Sequence, residues 1–278
     1  MLKYFVLFSC FLTIPNAFAD NVILMIGDGM GNRHIECVGR DNNLFLKTLL
    51  PQVQLHTSSA DNAITDSAAA ATAYSCGIKT NNGYLGMDAQ QKNCRTIAED
   101  AVEQGKDVYI LSTDMDTGAT PSAFYAHVNS RYNHEKILEY KKQASEKMYI
   151  SLNETSINSA VAELLEKLKN SSTSYFVMIE EAYIDKCSHN NDYKCMEQAL
   201  KNFDEAVRLV YEFAGNRDDV HVFVTADHET GGLSQNCEYT TGNHTLLDVS
   251  LFAKTNSFFY KNEMENNELY DLMKEVFR

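Results

Sequence analysis

Four short runs of apolar residues constrain what this chain can fold into. They are Asn21–Ile26, Asp107–Leu111, Tyr175–Ile179 and His221–Thr225. The apolar side chains within each run are continuous instead of alternating with polar ones. A strand formed from such a run needs cover on both faces, as in a parallel sheet. Each run is therefore predicted to be a buried strand.

Segments with helical periodicity lie before, between and after these strands. They are Arg95–Gln104, Ile157–Lys169, Cys195–Ala214 and Glu263–Phe277. Strands that alternate with helices build parallel sheets through crossover connections. The pattern predicts an α/β fold with a doubly wound, mostly parallel sheet and helices on both faces. Because no internal repeat or low-complexity linker interrupts the chain, residues 20–278 are expected to form a single domain.

Residues 1–19 have the pattern of an export signal. Lys3 supplies a positive charge, Tyr4–Ile14 is apolar but short for a membrane span, and Ala17-Phe18-Ala19 fits a cleavage site. The alternative is a buried N-terminal strand, which would explain neither the lysine nor the Ala-x-Ala pattern. We therefore expect an exported protein, periplasmic or secreted, without membrane association once residues 1–19 are removed.

Composition excludes several classes of protein. The chain has 24 Lys and Arg against 38 Asp and Glu, a formal net charge of −14. A nucleic-acid-binding protein needs a basic face, so no nucleic-acid partner is expected. With 44% hydrophobic and 22% charged residues, the chain is predicted to be globular and not disordered.

The cysteines that remain after removal of residues 1–19 favour disulfide bonds. They are Cys37, Cys76, Cys94, Cys187, Cys195 and Cys237. An even number in an exported chain is typical of a disulfide framework, although six cysteines allow about 15 connectivities. Cys187 and Cys195 bracket a short loop and are the first candidate pair. A buried free thiol remains an alternative for Cys76, which lies in an alanine-rich segment.

Acidic and imidazole side chains follow three of the predicted strands where each strand ends. In a doubly wound sheet, ligands bind beyond the carboxyl ends of the strands. A lone acid at such a position is usually a cap or turn residue, and a lone histidine is usually a surface or core residue. Several at one edge instead indicate metal binding. The residues are Asp28, Glu180, Asp185, His189, Asp227 and His228.

The spacing of these residues is compatible with a two-metal centre. Asp185 and His189 are four residues apart, which places both on one face of a helical turn. His244 adds a further imidazole after a short loop. Asp227 and His228 are adjacent, so they can share an ion only where the strand has ended. Carboxylate and imidazole ligands suit zinc, and an all-oxygen set suits magnesium.

Ser67 begins an alanine-rich segment with high helix propensity. A serine there can simply be a helix N-cap. A helix N-terminus also stabilises a phosphate or a serine oxyanion, and small neighbouring residues allow close approach. Arg131 is a candidate for a bidentate clamp on phosphate oxygens, although alone it would be interpreted as an exposed arginine.

Taken together, these motifs resemble the bacterial alkaline phosphatases, in that family's order over nearly the whole chain after residue 19. The shared segments are Asp28–Gly31, Thr65–Ala69, Gly77–Thr80 with Asn82-Gly83, Ala119–Pro121, Ala126–Val128, Ser130-Arg131, Glu180, Ile184–Lys186, His189, Thr225–His228 and His244-Thr245. The segments from Arg131 to Glu180 and from His228 to His244 are short for that family. The resemblance therefore implies a shortened core with an open active site.

The resemblance implies two zinc ions and one magnesium ion, each held by three protein residues. One zinc site matches Asp185, His189 and His244, the other matches Asp28, Asp227 and His228, and the magnesium site matches Asp28, Thr120 and Glu180. Two residues before the magnesium threonine, that family usually has an acid or a histidine. This chain has Gly118 there, and Asp116 is the candidate replacement.

The resemblance also implies a phosphomonoesterase that works through a phosphoserine intermediate. Ser67 matches the nucleophile and Arg131 matches the arginine that holds the phosphate. Asp66 is expected near the substrate, and Lys186 matches a lysine that reaches phosphate and magnesium through water. The partners implied are small phosphate monoesters, and a homodimer is conceivable because dimers are usual in the family.

Two other functions remain open. A phosphodiesterase of the same superfold is the nearest enzymatic alternative. A non-catalytic phosphate- or metal-binding derivative would account for the shortened middle and for Gly118. The first alternative predicts a preference for diesters, and the second predicts no turnover by the metal-loaded protein.

Overall fold

The computed structural model describes residues 20–256 and 261–277, and the predicted signal peptide lies outside them. The strands in this part of the chain are β1 (Asn21–Gly27), β2 (Val53–His56), β3 (Asp107–Ser112), β4 (Tyr149–Ser151), β5 (Tyr175–Glu181), β6 (Val220–Thr225), β7 (Val249–Lys254) and β8 (Glu263–Glu265). They form one eight-stranded sheet in the order β4-β3-β5-β1-β6-β7-β2-β8.

The four strands predicted from the sequence are neighbours at the centre of this sheet. β1 pairs in parallel with β5 and β6, and β3 pairs in parallel with β5. Every residue of β1, β5 and β6 is buried, as continuous apolar runs require. Only β7 runs against its neighbours among the described strands. The prediction of a mostly parallel sheet is confirmed.

Helices pack on both faces of the sheet, as predicted. They are α1 (Asn32–Val38), α2 (Ser67–Cys76), α3 (Ile97–Glu103), α4 (Ala119–Ser122), α5 (His134–Ala144), α6 (Ile157–Leu168), α7 (Tyr183–His189), α8 (Tyr193–Ala214) and α9 (Glu268–Val276). α6 and α8 pack on each other and on β5, while α3 and α4 contact β3 and β5 and α9 contacts β1. Within the described ranges, no helix is long and apolar enough to cross a membrane.

Side-chain caps determine where two of the helices begin. In both cases the first residue differs by two from the one that hydrophobic periodicity predicts. α3 begins at Ile97 and not at Arg95 because the Thr96 side chain accepts a hydrogen bond from the N–H of Glu99. α8 begins before Cys195 because the side chain of Asp192 accepts a hydrogen bond from the Cys195 N–H. Caps therefore decide these boundaries more than hydrophobic spacing does.

The helix predicted over Glu263–Phe277 is wrong in its first part. Residues Glu263–Glu265 form β8, and the helix begins only at Glu268. β8 pairs in parallel with β2 at the edge of the sheet, and Met264 is buried between two exposed glutamates. An exposed–buried–exposed pattern fits a strand, and pairing satisfies main-chain groups of β2 that would otherwise lie at the sheet edge.

The six cysteines form three disulfides, which are Cys37–Cys237, Cys76–Cys94 and Cys187–Cys195. The Cys187–Cys195 pair is confirmed, and the alternative of a free thiol at Cys76 is wrong. Cys187–Cys195 joins α7 to α8 and Cys76–Cys94 fixes the end of α2. The bond between Cys37 and Cys237 ties α1 to a loop 200 residues further along the chain.

Candidate active site

The carboxyl ends of β1, β5 and β6 bring most of the candidate residues to one edge of the sheet. In the parallel register, Ile26 lies opposite both Glu180 and Thr225. The residues that follow these three strands therefore lie side by side along the same edge of the sheet. The N–H of Gly29 donates to Oδ1 of Asp227 at 3.0 Å, which joins the loop after β1 to the loop after β6.

A first cluster joins Asp185, His189 and His244. Asp185 and His189 lie one turn apart on α7, as their spacing predicts. His189 Nε2 is 3.3 Å from Asp185 Oδ2 and 3.2 Å from His244 Nε2. His244 Nε2 is 3.7 Å from Asp185 Oδ1. These separations are compatible with one ion at the usual zinc–ligand distances of about 2.0–2.2 Å.

The loop after β1 packs directly on this cluster through Gly29. Gly29 has a φ of +73°, and a Cβ at this position would lie 2.9 Å from the Cα of Asp185. Both the left-handed backbone and the close approach require glycine. The glycine therefore sets how near Asp28 comes to α7.

A second cluster joins Asp28, Asp227 and His228, whose ligand atoms lie within 4.8 Å of one another. His228 Nε2 is 3.1 Å from Asp227 Oδ2 and 3.6 Å from Asp28 Oδ1. The His228 ring stacks on that of His244 with centroids 3.5 Å apart. The two clusters therefore adjoin, as a two-metal centre requires.

The three histidines all present Nε2 to the clusters because Nδ1 is engaged elsewhere. The Nδ1 partners are the Gly242 carbonyl for His189 (2.7 Å), the Thr65 carbonyl for His244 (2.9 Å) and the Thr230 hydroxyl for His228 (3.2 Å). A carbonyl oxygen can only accept, so His189 and His244 donate from Nδ1. This arrangement leaves an Nε2 lone pair available to a cation.

A third group consists of oxygens alone. Oδ1 of Asp28, Oγ1 of Thr120 and Oε1 of Glu180 are buried and have no hydrogen-bond partner within the described residues. A buried polar atom without a partner costs free energy, so such atoms require an explanation. Oxygen donors of this kind are the ligands that Mg²⁺ prefers.

The electrostatics of the site show an excess of negative charge. Burial, reinforced by Asp227, raises the pKa of Asp28 well above its ordinary value. Burial and the neighbouring Asp114 raise the pKa of Glu180 to about 8. Burial lowers the pKa of His228 to about 4, so it is neutral. The protein itself supplies too little positive charge for these carboxylates, which a bound cation would provide.

A hydrogen bond and opposite charges join Asp185 and His189. Burial is the largest influence on Asp185 and opposes its ionisation, but the hydrogen bond with His189 acts together with the neighbouring imidazoles and Thr230 to outweigh burial and lower the pKa of the carboxyl group. The same hydrogen bond raises the pKa of His189 to about 9. A cation between the two side chains would take the place of the proton in that hydrogen bond.

Ser67 is the first residue of α2, at the helix N-terminus as predicted. The cap is Asp66 and not Ser67, because Oδ1 of Asp66 accepts a hydrogen bond from the Ala69 N–H at 3.0 Å. The Ser67 hydroxyl is therefore not the group that caps the helix. Its Oγ lies 3.3 Å from Nε2 of His228, beside the second cluster.

The two basic side chains that are predicted to bind phosphate, Arg131 and Lys186, each contact a carboxylate. Arg131 Nη1 donates to Oδ2 of Asp66 at 3.1 Å, and the Arg131 N–H donates to the carbonyl of Gly83 at 2.7 Å. Lys186 Nζ donates to Oδ1 of Asp114 at 2.5 Å. Both side chains are therefore held in place by carboxylates.

Asp116 does not replace the side chain that Gly118 lacks. Its carboxylate is exposed and accepts from Lys141 Nζ at 2.7 Å and from Asn153 Nδ2 at 2.9 Å, so the expectation for Asp116 is wrong. Asp114 was missed, although it follows β3 as Asp28 follows β1. Applying the rule of strand ends to the run Asp107–Leu111 would have found it.

Thr230 was also missed by the sequence analysis. Its hydroxyl donates to Oδ1 of Asp185 at 2.5 Å and contacts Nδ1 of His228, which links the two clusters. Threonine two residues after a histidine carries no distinctive signal. Such supporting residues are visible only once the loops are folded.

Solved structures with this fold identify its class. The alkaline phosphatase of the Antarctic bacterium TAB5 superposes with a TM-score of 0.82 at 24% identity, covering 92% of this chain and 97% of the other. A variant of it carries Mg in a site called M3. The Thermus thermophilus alkaline phosphatase superposes with a TM-score of 0.82 at 18% identity, covering 94% and 91%. The fold is therefore that of the alkaline phosphatases.

Sequence comparison leads to the same family. The alkaline phosphatase family model matches residues 19–165 and 136–276. The chain therefore belongs to the alkaline phosphatase family of enzymes. Alkaline phosphatase 4 of Bacillus subtilis is 27% identical over 91% of this chain and 70% of its own length, and alkaline phosphatase 3 is 26% identical over 77% and 62%. The alkaline phosphatase of Escherichia coli K12 is 42% identical over 41% of this chain and 26% of its own length.

Proposed function

We propose that this chain hydrolyses phosphate monoesters with Ser67 as the nucleophile. The observation that carries the proposal is the position of the Ser67 hydroxyl, 3.3 Å from Nε2 of His228 and at the start of α2. A hydroxyl placed among clustered carboxylates and imidazoles is suited to attack on phosphorus. Membership of the alkaline phosphatase family supports the same reaction.

Two zinc ions and one magnesium ion are the proposed cofactors. Asp185, His189 and His244 would hold one zinc ion, Asp28, Asp227 and His228 the other, and Asp28, Thr120 and Glu180 the magnesium ion. The mixed nitrogen and oxygen donors suit zinc, and the unpartnered buried oxygens suit magnesium. When bound, such ions lower the pKa of a hydroxyl group and stabilise negative charge on a leaving oxygen.

Ser67 takes part in both halves of the proposed reaction. Oγ of Ser67 forms a bond to phosphorus while the bond from phosphorus to the ester oxygen breaks, and the serine proton ends on the departing oxygen, which leaves as an alcohol. The oxygen of a water molecule then bonds to phosphorus while the bond from phosphorus to Oγ breaks, and a proton of that water restores the serine hydroxyl as inorganic phosphate is released. The N-terminus of α2 favours negative charge on Ser67 and on the phosphate.

Arg131 favours monoesters over diesters. Its guanidinium can hold two non-bridging oxygens in a bidentate manner, and the magnesium group would engage the remaining one. A diester has one such oxygen fewer and a second organic group that must fit in the same place. Monoesters therefore gain more interactions in this site.

Export to an oxidising compartment is part of the proposal. The three disulfides support it, because disulfides persist in the periplasm and outside the cell. The signal peptide over residues 1–19, the single domain over 20–278 and a homodimer stay predictions from the sequence.

The test compares turnover of an aryl phosphate monoester and the matching diester by zinc- and magnesium-loaded protein. We expect monoester hydrolysis that is lost on chelation and restored by the metals. A preference for the diester would replace the proposal with a phosphodiesterase. Metal-loaded protein that turns over no ester would instead establish a binding protein.

A further inference from the structure

The carboxylate of Asp114 occupies the space beside Gly118. A Cβ built at position 118 would lie 2.3 Å from Oδ2 of Asp114 and 2.6 Å from its Cγ. Gly118 has φ −54° and ψ 137°, a conformation that any residue adopts. Glycine is therefore needed at 118 for space and not for its backbone freedom, because another side chain already fills that volume.

Asp114 also follows the strand residue that pairs with Glu180, a member of the oxygen group of Asp28, Thr120 and Glu180. β3 and β5 pair with Ser112 opposite Glu180, and Asp114 follows two residues later. The Ser112 hydroxyl donates to Oε2 of Glu180 and accepts from the N–H of Asp114 at 2.7 Å. Asp114 is only 8% exposed, whereas Asp116 is an exposed residue.

One oxygen of Asp114 is free to act on a cation. The hydrogen bonds from Lys186 Nζ (2.5 Å) and from the Met115 N–H (2.8 Å) both go to Oδ1. No described residue donates to Oδ2, the oxygen nearest Gly118. Asp114 therefore offers an unused carboxylate oxygen beside position 118, two residues before Thr120, and the unpartnered buried oxygens of Thr120 and Glu180 have the chemistry of a hard-cation site.

We propose that Asp114 supplies a further carboxylate to the magnesium site of Asp28, Thr120 and Glu180, directly or through a magnesium-bound water, from the place that a side chain at position 118 would otherwise fill. The inference rests on the proposed magnesium site. It makes Asp114 a magnesium-binding residue and Gly118 the residue that leaves room for it. Lys186 then balances the charge of Asp114 from the side of Oδ1.

The test measures magnesium binding to the zinc-loaded protein by calorimetry, and therefore does not depend on activity. We expect Asp114→Asn to weaken magnesium binding by about 10- to 100-fold, as loss of a metal-supporting partner does. The matched control is Asp116→Asn, which removes an exposed carboxylate two residues away and should bind magnesium as the wild type does. Equal affinities for Asp114→Asn and the wild type would overturn the inference.

A second experiment moves the carboxylate from position 114 to position 118. Asp114→Ala should bind magnesium weakly, and the double variant Asp114→Ala/Gly118→Asp should regain most of the affinity because the space beside residue 118 is then free. Gly118→Asp alone should be destabilised by the contact with Asp114. A folded double variant, verified by circular dichroism, that fails to regain affinity would overturn the inference.

The variant Lys186→Gln distinguishes a role of Asp114 at the metal from a role in which Asp114 only positions Lys186. If Asp114 acts on the metal, removal of the lysine charge leaves magnesium binding as tight as in the wild type or tighter. If Asp114 acts only by holding Lys186, Lys186→Gln weakens binding as much as Asp114→Asn does, which overturns the inference. Wild type that binds no magnesium at all would remove the proposed magnesium site itself, an outcome distinct from these.

Discussion

Oδ2 of Asp66 lies 3.1 Å from Nη1 of Arg131, while Oδ1 of the same carboxylate caps α2 just ahead of Ser67. One side chain thus fixes both the proposed nucleophile and the proposed phosphate clamp. The two roles can be separated, because asparagine is as good an N-cap as aspartate but lacks the charge that holds the guanidinium.

Asp66→Asn should therefore weaken binding of inorganic phosphate while leaving the stability of the fold nearly unchanged. We expect the inhibition constant for phosphate to rise by about ten-fold, the equivalent of ~1.4 kcal/mol. Asp66→Ala should weaken phosphate binding similarly and also destabilise the protein by about 1 kcal/mol through loss of the cap. Competitive inhibition and urea unfolding measure the two effects, and unchanged inhibition in both variants would contradict this account of Arg131.

Ser67→Ala should lower turnover of a phosphate monoester by at least about 10³-fold, because no other group takes over the nucleophilic step. Zinc content should stay the same, since Ser67 is not among the proposed ligands. The matched control is Ser75→Ala in the same helix, where the hydroxyl donates to the Ala123 carbonyl at 2.7 Å. The control should lose stability but keep its turnover, and similar activity losses in both variants would refute a special role for Ser67.

Metal binding to the metal-free protein should release protons at pH 7. Burial and Asp114 raise the pKa of Glu180 to about 8, so this carboxyl group is mostly protonated before the cation arrives. The cation binds the ionised carboxylate. The affinity for the metal therefore increases as the pH rises toward about 8 and decreases as the pH is lowered. Calorimetry in two buffers of different ionisation enthalpy gives the number of protons, which we expect to be smaller for Glu180→Gln. Equal proton release by the two proteins would contradict the prediction.

His34 should make the fold sensitive to acid. It is fully buried, accepts from the Gly31 N–H at 3.2 Å, contacts the Ser188 hydroxyl at 3.1 Å, and burial lowers its pKa to about 4. The unfolded chain takes up this proton at a pH near 6.5, before the folded chain does. The free energy of unfolding therefore falls as the pH drops from about 6.5 to 4, by about 1.4 kcal/mol per unit.

Urea unfolding of metal-free wild type and His34→Gln between pH 4 and 7 measures this contribution. The variant should lose less stability toward acid than the wild type. His56→Gln is the control, because its hydrogen bond with Asp248 raises the pKa of His56 and gives a contribution of opposite sign. Parallel pH profiles for wild type and His34→Gln would exclude His34 as the cause.

The centre of the sheet could be predicted because its strands bury both faces and therefore appear as continuous apolar runs. The turn that joins Asp185 and His189 could be predicted because it depends on local spacing alone. The outer strands β2, β4, β7 and β8 have three to six residues and owe their conformation to their neighbours in the sheet. Their sequences alone do not predict strands, because β-propensity depends strongly on the neighbouring strands.

Contacts between distant segments explain what was missed at the site. Asp114 comes close enough to Glu180 to raise its pKa because β3 pairs with β5, and Gly118 leaves room for the Asp114 carboxylate. The partner of Cys37 is 200 residues away, and no local pattern identifies it. The wrong expectation for Asp116 came from counting residues along the chain, whereas the fold turns that side chain to Lys141.

Each disulfide fastens a segment that carries part of the candidate site. Cys76–Cys94 closes α2, which begins with Ser67, and Cys187–Cys195 braces α7, which bears Asp185 and His189. Cys37–Cys237 anchors the loop that leads to His244. We therefore expect reduction of the disulfides to loosen these three segments while the buried strands of the sheet stay paired. The redox state of the compartment would then bear directly on how firmly the candidate site is held together.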